Sequence, residues 1–233
     1  SFPNAFANIT LSTLPAGAAP SATLTGLSVN TSYYLFVAAM NRGGALSPYA
    51  AFGATATRTA SPLSAASTFT AVAVSSLSVA WNANGNPLAI TSYTVQLSTA
   101  SDFSAADGVS FTTAPALGPG AGFEGLSVNT TYYLRLRAEN HNGVGTPFIA
   151  LGSTATLAMP PASAAVSVLN ISSLSAAWSD NGNPAGTLYT AQASTDAFAT
   201  ISVSSRTAGV SAAFLALAAN ATYYLRVRAE NRN

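Results

Sequence analysis

Nine residues, Leu27-Ser-Val-Asn-Thr-Ser-Tyr33-Tyr-Leu35, return as Leu126-Ser-Val-Asn-Thr-Thr-Tyr132-Tyr-Leu134 and again as Leu217-Ala-Ala-Asn-Ala-Thr-Tyr223-Tyr-Leu225. No other feature constrains the fold as strongly, because a chain that repeats its sequence at a fixed period repeats a structural unit. Two further markers keep the same period. Trp81-Asn-Ala-Asn-Gly-Asn-Pro87 returns as Trp178-Ser-Asp-Asn-Gly-Asn-Pro184, and Phe6-Ala-Asn-Ile-Thr-Leu-Ser12 as Phe198-Ala-Thr-Ile-Ser-Val-Ser204. The period is roughly 90–100 residues, the size of one small β-sandwich and well beyond the ~20–45 residues of a solenoid repeat.

Inside the unit, apolar and polar residues alternate. Leu77, Val79 and Trp81 share one face, with Ser78 and Ala80 on the other. Tyr93, Val95 and Leu97 alternate with Ser92, Thr94 and Gln96, and Tyr132, Leu134, Leu136 and Ala138 with Tyr133, Arg135, Arg137 and Glu139. A period of two predicts strands with one buried face. The Asn84-Gly85-Asn86-Pro87 segment predicts a turn, since Gly admits positive φ and Pro cannot join a central ladder.

In order and spacing, Trp81, Tyr93, Leu126, Tyr132, Ala138 and Asn140 resemble the signature of fibronectin type III domains, and Trp178, Tyr189, Leu217, Tyr223, Ala229 and Asn231 repeat it. The resemblance implies an all-β architecture of tandem immunoglobulin-like antiparallel sandwiches. It places Trp81, Trp178, Tyr93, Tyr189, Leu126 and Leu217 in the structural cores. It makes Tyr33, Tyr132 and Tyr223 tyrosine corners, each phenol bonding a nearby backbone group. The chain is similar to long bacterial surface proteins carrying such repeats, which implies an extracellular or cell-surface location.

The phase of the repeat predicts three segments. Residues 1–60 hold the second half of a unit, 61–158 a complete unit, and 159–233 a unit without its last strand. A half sandwich exposes an apolar face and open strand edges. The expectation is therefore a segment of a longer chain, or else a protomer completed by strands from neighbouring molecules. The linkers, Thr57–Pro62 and Thr156–Pro161, are short and contain Pro, which stiffens them.

Composition narrows the function. Only 6% of residues are charged, the net charge is +1, and all eight basic residues are Arg. Nucleic-acid binding needs a basic patch or stripe, so no nucleic-acid partner is expected. No apolar run reaches the ~18 residues of a membrane-crossing helix, and no membrane insertion is expected in these residues. With no Cys there are neither disulfides nor thiolate metal sites. The one His, His141, falls in a turn whose equivalents are Arg42 and Arg232, so no catalytic triad is expected. The Asp180-Asn181-Gly182-Asn183 stretch holds oxygen ligands, but its sister segment lacks the acid and a turn is the better reading. The chain is expected to need no cofactor, to hold no metal and to carry no enzymatic activity.

Asn8, Asn30, Asn129, Asn170 and Asn220 lie in Asn-x-Ser/Thr sequences and are candidate glycan acceptors. At Asn30, Asn129 and Asn220 a tight crossover before the corner Tyr competes with that reading. Two asymmetries distinguish the units. Where the middle and last units alternate Tyr, Arg, Arg and Glu along the outer face of the sixth strand, the first has Tyr34, Phe36, Ala38 and Met40. This apolar stripe is a candidate inter-domain or inter-subunit interface. The last unit has Ala176, Ala191 and Ala193 where the middle has Val79, Val95 and Leu97, which predicts a weaker core.

The expected function is a non-catalytic structural module of a long repetitive extracellular protein. It would act as a rod-like spacer or a filament or surface-layer building block, its partners being further repeats and copies of itself. An adhesin or carbohydrate-binding module is the first alternative and would need an aromatic platform from Phe103, Phe123 and Phe148. Accessory repeats of a secreted polysaccharide-degrading enzyme are the second.

Overall fold

The computed structural model describes residues 21–104 and 119–232, and every regular element among them is a strand. The first unit contributes β1 (Ser32–Val37) and β2 (Ala50–Ala56), paired antiparallel. The middle unit runs from β3 (Leu63–Val72) through β4 (Ser76–Asn82), β5 (Ser92–Ser98), β6 (Gly120–Glu124) and β7 (Thr131–Glu139) to β8 (Ile149–Ala155). Its sheets have the orders β3-β4-β6 and β5-β7-β8. The last unit contains β9 (Ala162–Asn170), β10 (Ser173–Ser179), β11 (Tyr189–Ser194), β12 (Val203–Thr207), β13 (Ser211–Phe214) and β14 (Tyr224–Ala229). These form sheets ordered β13-β10-β9 and β12-β11-β14. The Phe6–Ser12 marker and Asn8 lie outside the described residues.

Alternation sets which face is buried. Along β7, Tyr132, Leu134, Leu136 and Ala138 are buried, while the intervening side chains are half exposed. They meet Leu77, Val79, Trp81, Tyr93, Val95, Leu97 and Phe123 in one cluster. Trp81 and Tyr93 lie with ring centroids 5.3 Å apart at 55°, and Trp178 and Tyr189 repeat the pair at 5.6 Å and 56°. Tilted rings at this separation set the positive edge of one against the negative face of the other. Leu126 and Leu217 are buried beside them, at 6% and 7% exposure. In the last unit the buried set shrinks to Trp178, Tyr189, Phe214, Leu217 and four alanines, Ala176, Ala191, Ala193 and Ala212.

The turns joining β4 to β5 and β10 to β11 place Asn84 and Asn181 at φ 53° and 54°, with glycines next in line at positive φ. Only Gly, and Asn among larger residues, enters this region at low cost. Gly53 and Gly152 adopt φ 99° and 100° at matching bulges of β2 and β8. In the middle unit Phe69 of β3 rests over Gly152 of β8. Val166 holds the same register in β9 but is 57% exposed, for no described strand lies against it.

Each of the three corner tyrosines accepts a hydrogen bond from the backbone five residues upstream. Ser28 N–H donates to Tyr33 at 3.0 Å, Ser127 N–H to Tyr132 at 2.9 Å, and Ala218 N–H to Tyr223 at 2.9 Å. Tyr132→Phe keeps the ring's packing and removes only this bond. Because Ser127 lies at the surface, its freed N–H turns to water, and the expected loss is about 1 kcal/mol. The shift in denaturant midpoint of the middle unit measures it.

Candidate functional site

The recurring motifs converge on the two places where one unit meets the next. The Asn that precedes each corner tyrosine sits in a left-handed backbone, with φ 42° at Asn30 and 44° at Asn129. That turn aims its amide out of its own unit, and both side chains are completely buried against the following one.

At the first joint Asn30 Nδ2 donates to Thr91 Oγ1 at 2.9 Å and to the Ile90 carbonyl at 3.3 Å. Its Oδ1 accepts the His141 backbone N–H at 2.9 Å. At the second joint Asn129 Nδ2 donates to Thr187 Oγ1 at 3.0 Å and to the Glu230 carbonyl at 3.2 Å, while Oδ1 accepts the Arg232 N–H at 3.0 Å. At each joint one amide thus satisfies two acceptors and one donor across the boundary; the threonine and the turn N–H are equivalent in the two joints, and only the carbonyl differs. Buried polar atoms need such partners, because an unmet one costs about 1–3 kcal/mol.

Asparagines also hold the linkers. Asn86 accepts the Ala60 N–H and donates to the Ala60 carbonyl, both at 2.8 Å. Asn183 does the same to Met159 at 2.8 Å. Asn84 and Asn181 donate to the carbonyls of Ser61 and Pro160, each at 2.8 Å. A primary amide matches both groups of a peptide unit, so each linker residue is gripped as a strand would grip it. Asn140 Nδ2 adds a bond to the Thr57 carbonyl at 3.1 Å, and Asn231 Oδ1 accepts the Ala158 N–H at 2.7 Å. Thr57 and Thr156 close the set by donating to the Ser28 and Ser127 carbonyls at 2.6 Å.

This geometry corrects the glycan expectation at two positions. An N-linked sugar is carried on Nδ2, and in the folded chain the Nδ2 atoms of Asn30 and Asn129 are enclosed and donating across a joint. Asn170 and Asn220 are exposed. Among the described residues no group of three His, Cys, Asp or Glu side chains could hold a metal ion, and the Asp180–Asn183 turn serves the linker instead. His141 contributes its backbone N–H to the first joint.

The outer sheet faces carry a second arrangement. Arg135 lies between two rings, its guanidinium carbon 4.3 Å from the Phe103 centroid and 4.4 Å from that of Phe148, with its Nε donating to Gln96 at 2.6 Å. Arg226 repeats this with Phe198 at 4.2 Å and Gln192 at 2.8 Å. Phe123 is in the core. The three aromatics that a carbohydrate platform would need are therefore engaged inside the middle unit. In the first unit, Tyr34 is 68% and Met40 48% exposed, whereas Phe36 is half-buried.

Glu230 receives Arg206 Nε at 2.9 Å and the Thr190 hydroxyl, and these bonds hold its carboxyl down to about 2 from an ordinary 4.5. Asp196, bonded by Ser194 and Thr200, is likewise held at about 2 instead of 3.8. A carboxyl whose pKa is depressed by folding contributes stability above its unfolded pKa and loses it as pH falls through the folded one. The last unit should therefore lose melting temperature between about pH 4.5 and 2, more steeply in the parent chain than in Glu230→Gln. Parallel curves for the two proteins would contradict this assignment.

No known family profile and no curated protein matches the chain. Among solved structures, a two-domain fibronectin type III segment from chicken tenascin superposes with a TM-score of 0.50. It is 14% identical and covers 74% of this chain and 92% of its own. The FN1–FN3 domains of chicken CNTN1 align over 87% of this chain and 71% of theirs at 18% identity, with a TM-score of 0.32 that adds nothing to the argument. With the antiparallel sheets described above, the tenascin likeness establishes the fold as fibronectin type III-like.

Proposed function

We propose that this chain is a non-catalytic spacer, a stiff run of fibronectin type III-like units belonging to a long extracellular or cell-surface protein. The observation that carries the reading is the pair of fully buried asparagines, Asn30 and Asn129, each joining one unit to the next by three hydrogen bonds. A flexible tether would leave such positions solvated. Here they are closed, and the linkers are held by further side-chain amides. Units in series then act as a rod whose length follows the number of units.

Low charge and few enclosed sites fit the same reading. Two cavities, about 490 and 320 Å³, lie shallow on the outer face of β14 beside Arg206, Arg226 and Arg228. Neither is the enclosed, apolar pocket that small-molecule chemistry uses. The exposed aromatic and apolar side chains of the first unit, Tyr34, Met40 and Phe52, supply surface for packing against neighbours. Small-angle X-ray scattering of the chain in dilute solution tests the rod. A profile of fixed, extended cross-section supports it, and one needing an ensemble of bent arrangements would sink it.

A further inference from the structure

The chain holds three Asn–Gly pairs, Asn84-Gly85, Asn142-Gly143 and Asn181-Gly182. Each lies at a boundary between units and spends its Nδ2 there, on the Ser61 carbonyl, the Thr55 hydroxyl and the Pro160 carbonyl in turn. A side-chain amide followed by glycine carries its own reaction. The glycine nitrogen can close a five-membered ring onto the amide carbon, and without a Cβ beside it nothing crowds the approach. Asparagine counts among the thermolabile residues.

What holds the attacking nitrogen differs among the three pairs. Gly143 N–H donates to the Asn140 carbonyl at 2.9 Å, and Gly182 N–H to Asp180 Oδ1 at 3.2 Å. That nitrogen must lose its proton to attack, and a hydrogen bond keeps the proton on it. The Asp180 carboxylate also sets a negative charge against the one that forms. The middle unit has Ala83 in place of Asp180, and Gly85 N–H bonds to no described residue. Otherwise the two linker turns match. Asn84 and Asn181 have φ 53° and 54°, their glycines follow at 79° and 84°, and each Nδ2 donates at 2.8 Å. Asn84 is the more exposed of the two.

We infer that Asn84 is a site of spontaneous deamidation, and that the change releases the first linker. The inference rests on the spacer reading and gives the rod a lifetime. Gly85 N gives up its proton and bonds to Asn84 Cγ. The Cγ–Nδ2 bond breaks, ammonia leaves, and a succinimide remains. One water then opens the ring at either carbonyl, giving aspartate or isoaspartate. Water is the sole co-reactant, and nothing is oxidised or reduced. Either product ends the bond to the Ser61 carbonyl and turns an acceptor-only carboxylate toward that oxygen. Isoaspartate also lengthens the main chain by one carbon two residues before Asn86, whose amide grips both backbone groups of Ala60 at 2.8 Å. The first linker loses its holders, while the second, guarded by Asp180, keeps them.

Peptide mapping of the whole chain during long incubation at mildly alkaline and mildly acidic pH tests this, with fragmentation that separates aspartate from isoaspartate. Expected is conversion at Asn84 roughly three- to tenfold faster than at Asn142 or Asn181, the factor that one hydrogen bond on the attacking nitrogen carries. Acidic pH should slow it. Asn84→Asp should reproduce the mechanical effect without incubation, through faster hydrogen exchange at Ala60 and a shorter mean end-to-end distance in solution scattering, with core amides unchanged. Asn82→Asp is the control, because it adds the same charge two residues away and keeps the oxygen that accepts the Asn84 N–H. Conversion that starts at Asn142 or Asn181 overturns the inference, as does an Asn84→Asp chain that exchanges and scatters like Asn82→Asp. A fresh parent chain that already bends at its joints would remove the spacer reading instead, and the order of conversion would still be read from the peptide map.

Discussion

Asn129→Gly is expected to free the second joint while leaving the sandwiches on either side folded. Glycine accepts the φ of 44° at this position, so the substitution tests the side chain and not the turn. It deletes three bonds and leaves the Arg232 N–H without its acceptor. Each lost bond weighs about 0.5–1.5 kcal/mol, and relative motion is the default between domains that share only a small interface. The expected signature is a shorter mean end-to-end distance in solution scattering and faster hydrogen exchange at Arg232, with core amides unchanged. Asn30→Gly should act alike at the first joint, through His141. Asn→Ala would confuse the result, because its Cβ strains a left-handed backbone. Should Asn129→Gly scatter and exchange like the parent, the amide is decoration and the stiffness comes from the linkers alone.

Trp81→Ala should produce the largest loss of stability in the chain. The indole is 2% exposed, packs against Tyr93 and touches both sheets of the middle unit's core. Truncating a buried Trp costs about 3–5 kcal/mol. Domains of this size hold only about 5–15 kcal/mol in total. A melt followed by calorimetry should then show the middle unit's transition falling by tens of degrees or disappearing. Because Thr91, Asn140 and His141 all belong to the middle unit, its unfolding also removes the surface on which Asn30 docks. Trp178→Ala should cost less, since the alanines around Trp178 leave fewer contacts to lose. Equal losses for the two substitutions would mean that the core's size is not what separates the units.

Much of this architecture was legible in the residues. Strict alternation from Tyr132 to Glu139 left one register for β7, and the asparagine–glycine turns could close only as they do. The joints were harder to see, for a physical reason. Asn30 and Asn129 satisfy the positive φ of the crossover by residue type alone, so the local requirement hid the longer one. Their partners, Thr91, His141, Thr187 and Arg232, lie 58 to 111 residues away and share no pattern with them. One signal was available. The most faithful motif, Leu126–Leu134, opens on the crossover turn ahead of β7 as well as on the strand itself, and turns that serve only their own unit tolerate more variation. The ring stacks on Arg135 were hidden likewise, because Phe103 and Phe148 enter from separate loops.

The middle repeat carries both Asn129, which reaches forward, and the Thr91-bearing turn that receives Asn30 from behind. A gene duplication or loss of whole repeats would therefore bring matching fittings to every new boundary, with no compensating substitution. Selection could set the reach of such a protein by counting units, while the interface chemistry stayed fixed.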